Sequence, residues 1–152
     1  MTHVTQNRVP WLVDHVDLLV QAIEKAELEW NAHLQAWVIL PDHFHILANF
    51  SEANPSNVVR RIKLSFSTNL RKRIGASSGR VWQCRFWDHI IRDQRDWNKH
   101  VDYIHYNPVK HGYATRPIDW RHSPFHRYLC DGYYRADWGV KGVDGTDGDF
   151  GE

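Results

Sequence analysis

An α+β domain, an antiparallel sheet with helices packed mainly on one face, is the fold class that three observations predict. The chain has 152 residues, the size of one domain with a substantial core. Two apolar runs, 34–40 and 43–50, meet at Pro41-Asp42, a connection of hairpin length rather than a crossover. Apolar residues recur at helical spacing over two long stretches, so strands and helices interleave without strict β-α-β alternation.

The elements follow in order. Residues 2–6 form a short strand that Arg8-Val9-Pro10 ends. Residues 14–30 read as a helix, with Val16, Leu19, Val20, Ile23, Ala26 and Trp30 on one stripe. The hairpin over 34–50 comes next, then a loop over 51–57. A second helix runs from Val58 to Ile74, capped by Ser56 or Asn57 and closed by Gly75. Residues 81–92 contain another strand. Asp93 or Asp96 caps a third helix that stops near Tyr106, because Pro108 disfavours helical geometry at Asn107. Residues 114–137 are irregular and aromatic. Residues 1–138 make one domain, and 139–152, with Gly at every third position among acids, read as a disordered acidic tail.

Charge is unevenly spread. The chain holds 19 basic and 18 acidic residues, but Asp137, Asp144, Asp147, Asp149 and Glu152 oppose only Lys141 at the C-terminal end. Residues 1–136 therefore keep 18 basic and 13 acidic residues, a moderately basic body that suits a nucleic-acid partner. From Ala53 to Trp87 the charged residues are Arg60, Arg61, Lys63, Arg71, Lys72, Arg73, Arg80 and Arg85, with no acid among them. A merely solvated helix mixes signs to gain i,i+4 pairs, so this set points to phosphate contact. Ser65, Ser67, Thr68 and Asn69 add neutral phosphate-bonding groups. Over 80–87 arginines alternate with aromatics, the mix that clamps single strands. The competing reading is a core strand with flanking charges. Cys84 and Cys130 form no C-x-x-C pair; two reduced thiols are the simplest reading, with one disulfide as the alternative. The polar start and the lack of an apolar run of about 20 residues point to a soluble, cytoplasmic protein without a membrane partner.

The chemistry centres on His43-Phe44-His45. Residues two apart on a strand share a face, so both imidazoles project together while Phe44 and Ile46 project the other way. Two neutral imidazoles are half of a metal site; hydrogen-bonded or solvent-facing histidines are the plainer alternative. Asn107 offers an amide oxygen, a hard donor for Mg2+ or Mn2+, although Asn before Pro is also a common turn starter. Tyr103, one helical turn earlier, offers a hydroxyl nucleophile, with Tyr106 as its competitor.

The segments 41–47 (PDHFHIL), 80–89 (RVWQCRFWDH) and 102–112 (DYIHYNPVKHG), in this order and spacing, resemble the REP-associated branch of the single-tyrosine HUH transposases. The likeness runs from about Thr2 to Trp138. It implies a ferredoxin-like (RRM-like) antiparallel sheet, with His43 and His45 as metal ligands on a central strand. It further implies Asn107 as third ligand, a divalent ion such as Mg2+ or Mn2+, and Tyr103 as nucleophile. The implied reaction is cleavage and transfer of single-stranded DNA beside a hairpin, through a 5′-phosphotyrosine and without ATP. Arg60, Arg61, Lys63, Arg71, Lys72 and Arg73 would hold the DNA backbone, and Trp82 and Arg85 would contact bases or a hairpin stem. Such a protein would act as a monomer or homodimer. The alternative is a domesticated module that binds a hairpin or single strand without transposition. The short first strand departs from the family pattern and predicts a weak sheet edge.

Overall fold

The computed structural model describes residues 1–50, 54–140 and 142–143. Most of the acidic tail expected over 139–152 lies outside them. Three strands, β1 (Thr2–Val4), β2 (His33–Ile39) and β3 (His43–Asn49), form an antiparallel sheet in the order β1-β3-β2. The helices are α1 (Trp11–Asp14), α2 (Val16–Trp30), α3 (Pro55–Ile74), α4 (Gln94–Lys110) and α5 (Phe125–Cys130). The α+β class is as the hairpin and helical spacings predict.

β3 lies at the centre and alternates between two cores. Phe44 and Ile46 join Ile39 of β2 beneath α2 and α3, where Leu19, Ile23, Ile62 and Phe66 are buried. Leu47 joins Ala36 and Val38 of β2 on the opposite face, against Val101, Tyr103 and Ile104 of α4 and Phe125 of α5. Helices α2 and α3 thus share one face, while α4 and the short α5 close the other. Val38 and Thr2 both register against His45, and Ile39 and His3 against Phe44.

Four expectations shift. The helix expected from Asp14 is broken at His15, so α2 starts at Val16. α3 starts earlier than Val58: Pro55 sits at its first turn, where a missing N–H costs nothing, and the Asn54 side chain accepts from Ser56 N at 2.9 Å. Residues 81–92 do not form a regular strand. Among the described residues they make bridges only at Thr2–Trp87 and Thr5–Trp82. Yet these bonds, with Thr2 N donating to Trp87 O at 2.8 Å and Gln83 N to Val4 O at 3.0 Å, cover the outer edge of β1. That is the place of a fourth strand in a ferredoxin-like sheet, and it shields the short first strand. Finally, α4 runs through Pro108 to Lys110 instead of stopping near Tyr106. Proline removes one helical hydrogen bond, but Val101, Ile104, Asn107 and Pro108 are buried, and tertiary packing holds the last turn.

His105, wholly buried on α4, packs edge-on to Tyr128 and shares a 3.2 Å hydrogen bond with Tyr134, whose hydroxyl donates to Asp102 at 2.8 Å. Burial, aided by Arg127, pushes the imidazole down to about 3. Its folded value lies below its unfolded value, so the unfolded chain binds the extra proton. Stability is therefore full above the ordinary histidine value near 6.5 and falls as pH drops towards 3. Denaturant melts across that window should show a shallower acid loss in His105→Gln than in the wild type; identical slopes would contradict a neutral buried His105.

Candidate active site

β3 positions two imidazoles on the α4 face of the sheet. Both are almost completely buried, and their rings meet at 5.1 Å between centroids, edge to face. Each is held at Nδ1 by a specific partner. Asp42, in the hairpin turn, lies 2.7 Å from His43 Nδ1, and Thr2 Oγ1, on the neighbouring strand, lies 2.9 Å from His45 Nδ1. Asp42 is itself fixed by Arg8 Nη1 at 2.9 Å, and its backbone oxygen accepts from Thr5 N at 2.8 Å. Burial opposes ionisation of Asp42, but hydrogen bonds from His43 and Arg8 outweigh it and bring its carboxyl down to about 2. The carboxylate is thus an acceptor, and His43 Nδ1–H the donor. In a neutral ring the lone pair then sits on Nε2.

α4 brings the remaining groups to the same face. Tyr103 stands edge-on to His45, ring centroids 5.4 Å apart. Continuation of the helix past Pro108 gives this face three successive stations. Asn107 follows Tyr103 by one turn and is fully buried, and Lys110 follows by two turns. Lys110 Nζ lies 4.8 Å over the Tyr103 ring and 3.4 Å from its hydroxyl. Immediately past the helix, the His111 ring stands 5.0 Å from that of His43. Neither Lys110 nor His111 was expected at the site. A helix ending near Tyr106 would have carried neither there, and the run Val109-Lys110-His111 signals them only once the helix is known to continue. Tyr106 points elsewhere, half-buried and edge-on to Trp138 at 6.4 Å.

The donor set fits a divalent ion. Nε2 of His43, Nε2 of His45 and Oδ1 of Asn107 are all shielded from water. Asp42 and Thr2 hold the opposite nitrogen of each ring, as outer partners do for metal-binding histidines. Two imidazoles with an amide oxygen suit Mn2+ and, less well, Mg2+.

The cations expected to hold DNA divide into two groups. Arg60, Lys63 and Arg71 line a groove between α3 and the 81–86 segment, with Leu64, Cys84 and Phe86 on its walls. Arg61 and Arg73 instead pair with acids of α2: Arg61 Nε reaches Glu29 at 3.0 Å and Arg73 Nη2 reaches Asp17 at 2.6 Å. The imbalance of sign within 53–87 is thus partly cancelled by a distant stretch of chain. Lys72 and Arg85 are exposed. Trp82, expected to touch bases, belongs to the core. It packs on Phe44 and Phe66 at about 5.5 Å, and its Nε1 donates to Ser67 Oγ at 2.9 Å. Ser67 is spent on that bond and on Lys63 O, so it is not a phosphate donor.

Residues 1–106 match the family model described as "Transposase IS200 like". The chain belongs to the IS200-like transposase family. It is 36% identical over 138 residues to the REP-associated tyrosine transposase of Escherichia coli (strain K12), covering 90% of this chain and 80% of that one. Identity is also 36%, over 149 residues, to the putative REP-associated tyrosine transposase of Haemophilus influenzae, covering 91% and 85%. A solved structure of a REP-associated tyrosine transposase bound to a REP hairpin superposes with a TM-score of 0.84 at 36% identity, over 99% of this chain and 88% of that chain. These relatives are tyrosine transposases, enzymes of the HUH type, and this chain has a transposase function. No helix among the described residues is long and apolar enough to cross a membrane.

Because the carboxyl of Asp42 is more acidic in the folded state than at its ordinary 3.8, its contribution is present above 3.8 and fades as pH falls towards 2. Asp42→Asn should therefore be less stable than the wild type at pH 7 by about 1–3 kcal/mol, with the difference shrinking near pH 2. Chemical denaturation at the two pH values measures this.

Proposed function

We propose that this transposase cleaves and rejoins single-stranded DNA beside a hairpin, with Tyr103 as nucleophile. The observation that carries the reading is the packing of the Tyr103 ring against His45, with the Lys110 ammonium at its hydroxyl. The Tyr103 oxygen attacks the scissile phosphorus and the bond from phosphorus to the 3′ oxygen breaks. The products are a 5′-phosphotyrosine and a 3′-hydroxyl. The phenol loses its proton and the departing oxygen gains one, so no cofactor is consumed. The phosphotyrosine keeps the bond energy, and a 3′-hydroxyl attacking it restores the phosphodiester.

His43, His45 and Asn107 would hold a divalent ion, Mg2+ or Mn2+, which when bound polarises the phosphate oxygens and offsets charge in the transition state. Lys110 contributes a positive charge next to the phenolic oxygen, where negative charge resides in the attacking form. A charge-assisted hydrogen bond is worth about 1.5–3 kcal/mol, roughly ten-fold to a hundred-fold in rate.

Hairpin DNA is the proposed partner, supported by the ligand of the solved relative and by the cationic groove. Arg60, Lys63 and Arg71 form the principal backbone contact, with Lys72 and Arg85 as exposed additions. Arg61 and Arg73 serve mainly to join α3 to α2. The cytoplasm is the proposed location, since that is where chromosomal DNA lies. The second reading, a module that binds hairpins without cutting, leaves the buried Asp42–His43 and Thr2–His45 pairs without a use.

Incubation with a labelled hairpin oligonucleotide and Mn2+ or Mg2+, followed by a denaturing gel, tests the reaction. Wild type and Tyr106→Phe should give a covalent adduct, Tyr103→Phe none, and Lys110→Met at least ten-fold less, with hairpin binding retained in all. Adduct in Tyr103→Phe at the normal rate would sink the assignment. No adduct in any form, with binding intact, favours the binding module. Salt titration of hairpin affinity separates the two cation groups. Arg60→Ala, Lys63→Ala and Arg71→Ala should each lower the slope of log K against log salt by about 1, whereas Arg61→Ala and Arg73→Ala should leave it nearly unchanged.

A further inference from the structure

We propose that His89, Asp96 and His100 form a second divalent-cation site, of the kind that takes Zn2+, separate from the His43–His45 pair. The three side chains come from two pieces of chain. His89 lies in the irregular segment after Trp87, and Asp96 and His100 lie one turn apart near the start of α4. Their ligand-capable atoms all lie within 4.8 Å of one another. His89 Nε2 is 2.7 Å from Asp96 Oδ2, and His100 Nδ1 is 3.2 Å from Asp96 Oδ1 and 2.9 Å from the Asp96 main-chain oxygen, a hydrogen bond that an ion on Nδ1 would replace. In a tetrahedral site with metal–donor bonds of about 2.0–2.2 Å, donors stand roughly 3.3–3.6 Å apart. Reaching that spacing requires the two rings to swing apart from their stack so that their in-plane lone pairs converge on the ion.

The two imidazoles are stacked at 4.5 Å and 15°, and the Trp87 ring stacks on both, at 5.8 and 6.2 Å. Packing therefore confines the two rings to one place beside Asp96. The side chains of His89, His100 and Asp96 are 25%, 12% and 19% exposed, open enough for an ion to enter and closed enough to shed most of its water. Two imidazoles and one carboxylate favour Zn2+ over Mn2+ or Mg2+, and three protein ligands leave a fourth position for water.

The site's position gives it a consequence. Trp87 is hydrogen-bonded to Thr2, and Thr2 to His45. His45, Trp87, His89, His100 and Tyr103 line one small cavity. An ion on His89, Asp96 and His100 would cross-link the irregular edge segment to the helix that carries Tyr103. The inference stands on this geometry alone and is independent of the role given to Tyr103.

Zn2+ uptake by the purified full chain, measured by calorimetric titration, tests it. Wild type should bind one Zn2+ more than Asp96→Asn and one more than His89→Gln, and Co2+ should give visible tetrahedral bands in wild type and in His43→Ala that both variants lose. Far-UV circular dichroism verifies folding, and His89→Gln decides the matter if Asp96→Asn fails to fold. Equal Zn2+ uptake by wild type and folded variants, or Co2+ bands that vanish in His43→Ala and persist in His89→Gln, overturns the proposal.

Discussion

The alternation of side chains along β3 is the constraint on which the rest of the molecule depends. Phe44 and Ile46 are buried in the core beneath α2 and α3, and that burial drives His43 and His45 to the opposite face. A slip of one residue would put the imidazoles into an apolar core and expel two large hydrophobic side chains from it. Each fully buried Phe or Ile is worth about 1.5–3 kcal/mol, so the slipped register is far less stable. β3 is paired on both sides, with β1 and β2, which leaves it no freedom to shift. The same pairing delivers Thr2 to His45, and the turn that begins β3 delivers Asp42 to His43.

α4 is the second half of the site, and its persistence through Pro108 is what makes it so. Tyr103, Asn107 and Lys110 share a face only because the helical rise continues for two turns past the tyrosine. The proline lowers the intrinsic stability of that last turn. Buried Asn107 and Pro108, and the hydrogen bonds from Tyr113 N and Ala114 N to Pro108 O, hold it. Sheet and helix together place the Tyr103 hydroxyl, two oriented imidazoles and the Asn107 amide on one face, with the exposed Lys110 ammonium at its rim.

The histidine pair, the hairpin around Pro41-Asp42 and the cap residues Gly75 and Asp93 were legible in the sequence, because each depends on local spacing or local backbone chemistry. What depends on distant chain was not. Arg61 and Arg73 looked available because no acid lies near them in sequence; Glu29 and Asp17 reach them across the α2–α3 contact. Trp82 alternates with arginines like a base-stacking residue, but Phe44 and Phe66 draw it into the core. Residues 81–92 have the composition of a strand. Lying at the outer edge of a three-residue β1, they have too little partner to form a ladder. Pro108 stops an isolated helix more reliably than one whose apolar face is buried.

If β3 and α4 converge to make Tyr103 the nucleophile, the DNA phosphate ends on that residue. The most direct measurement is tandem mass spectrometry of the protein after reaction with an oligonucleotide and nuclease trimming. Lys99 and Lys110 place Tyr103 and Tyr106 in one tryptic peptide, so fragmentation distinguishes them directly. A phosphonucleotide on Tyr103 with Tyr106 unmodified is the expected result; a phosphonucleotide on Tyr106 overturns the assignment.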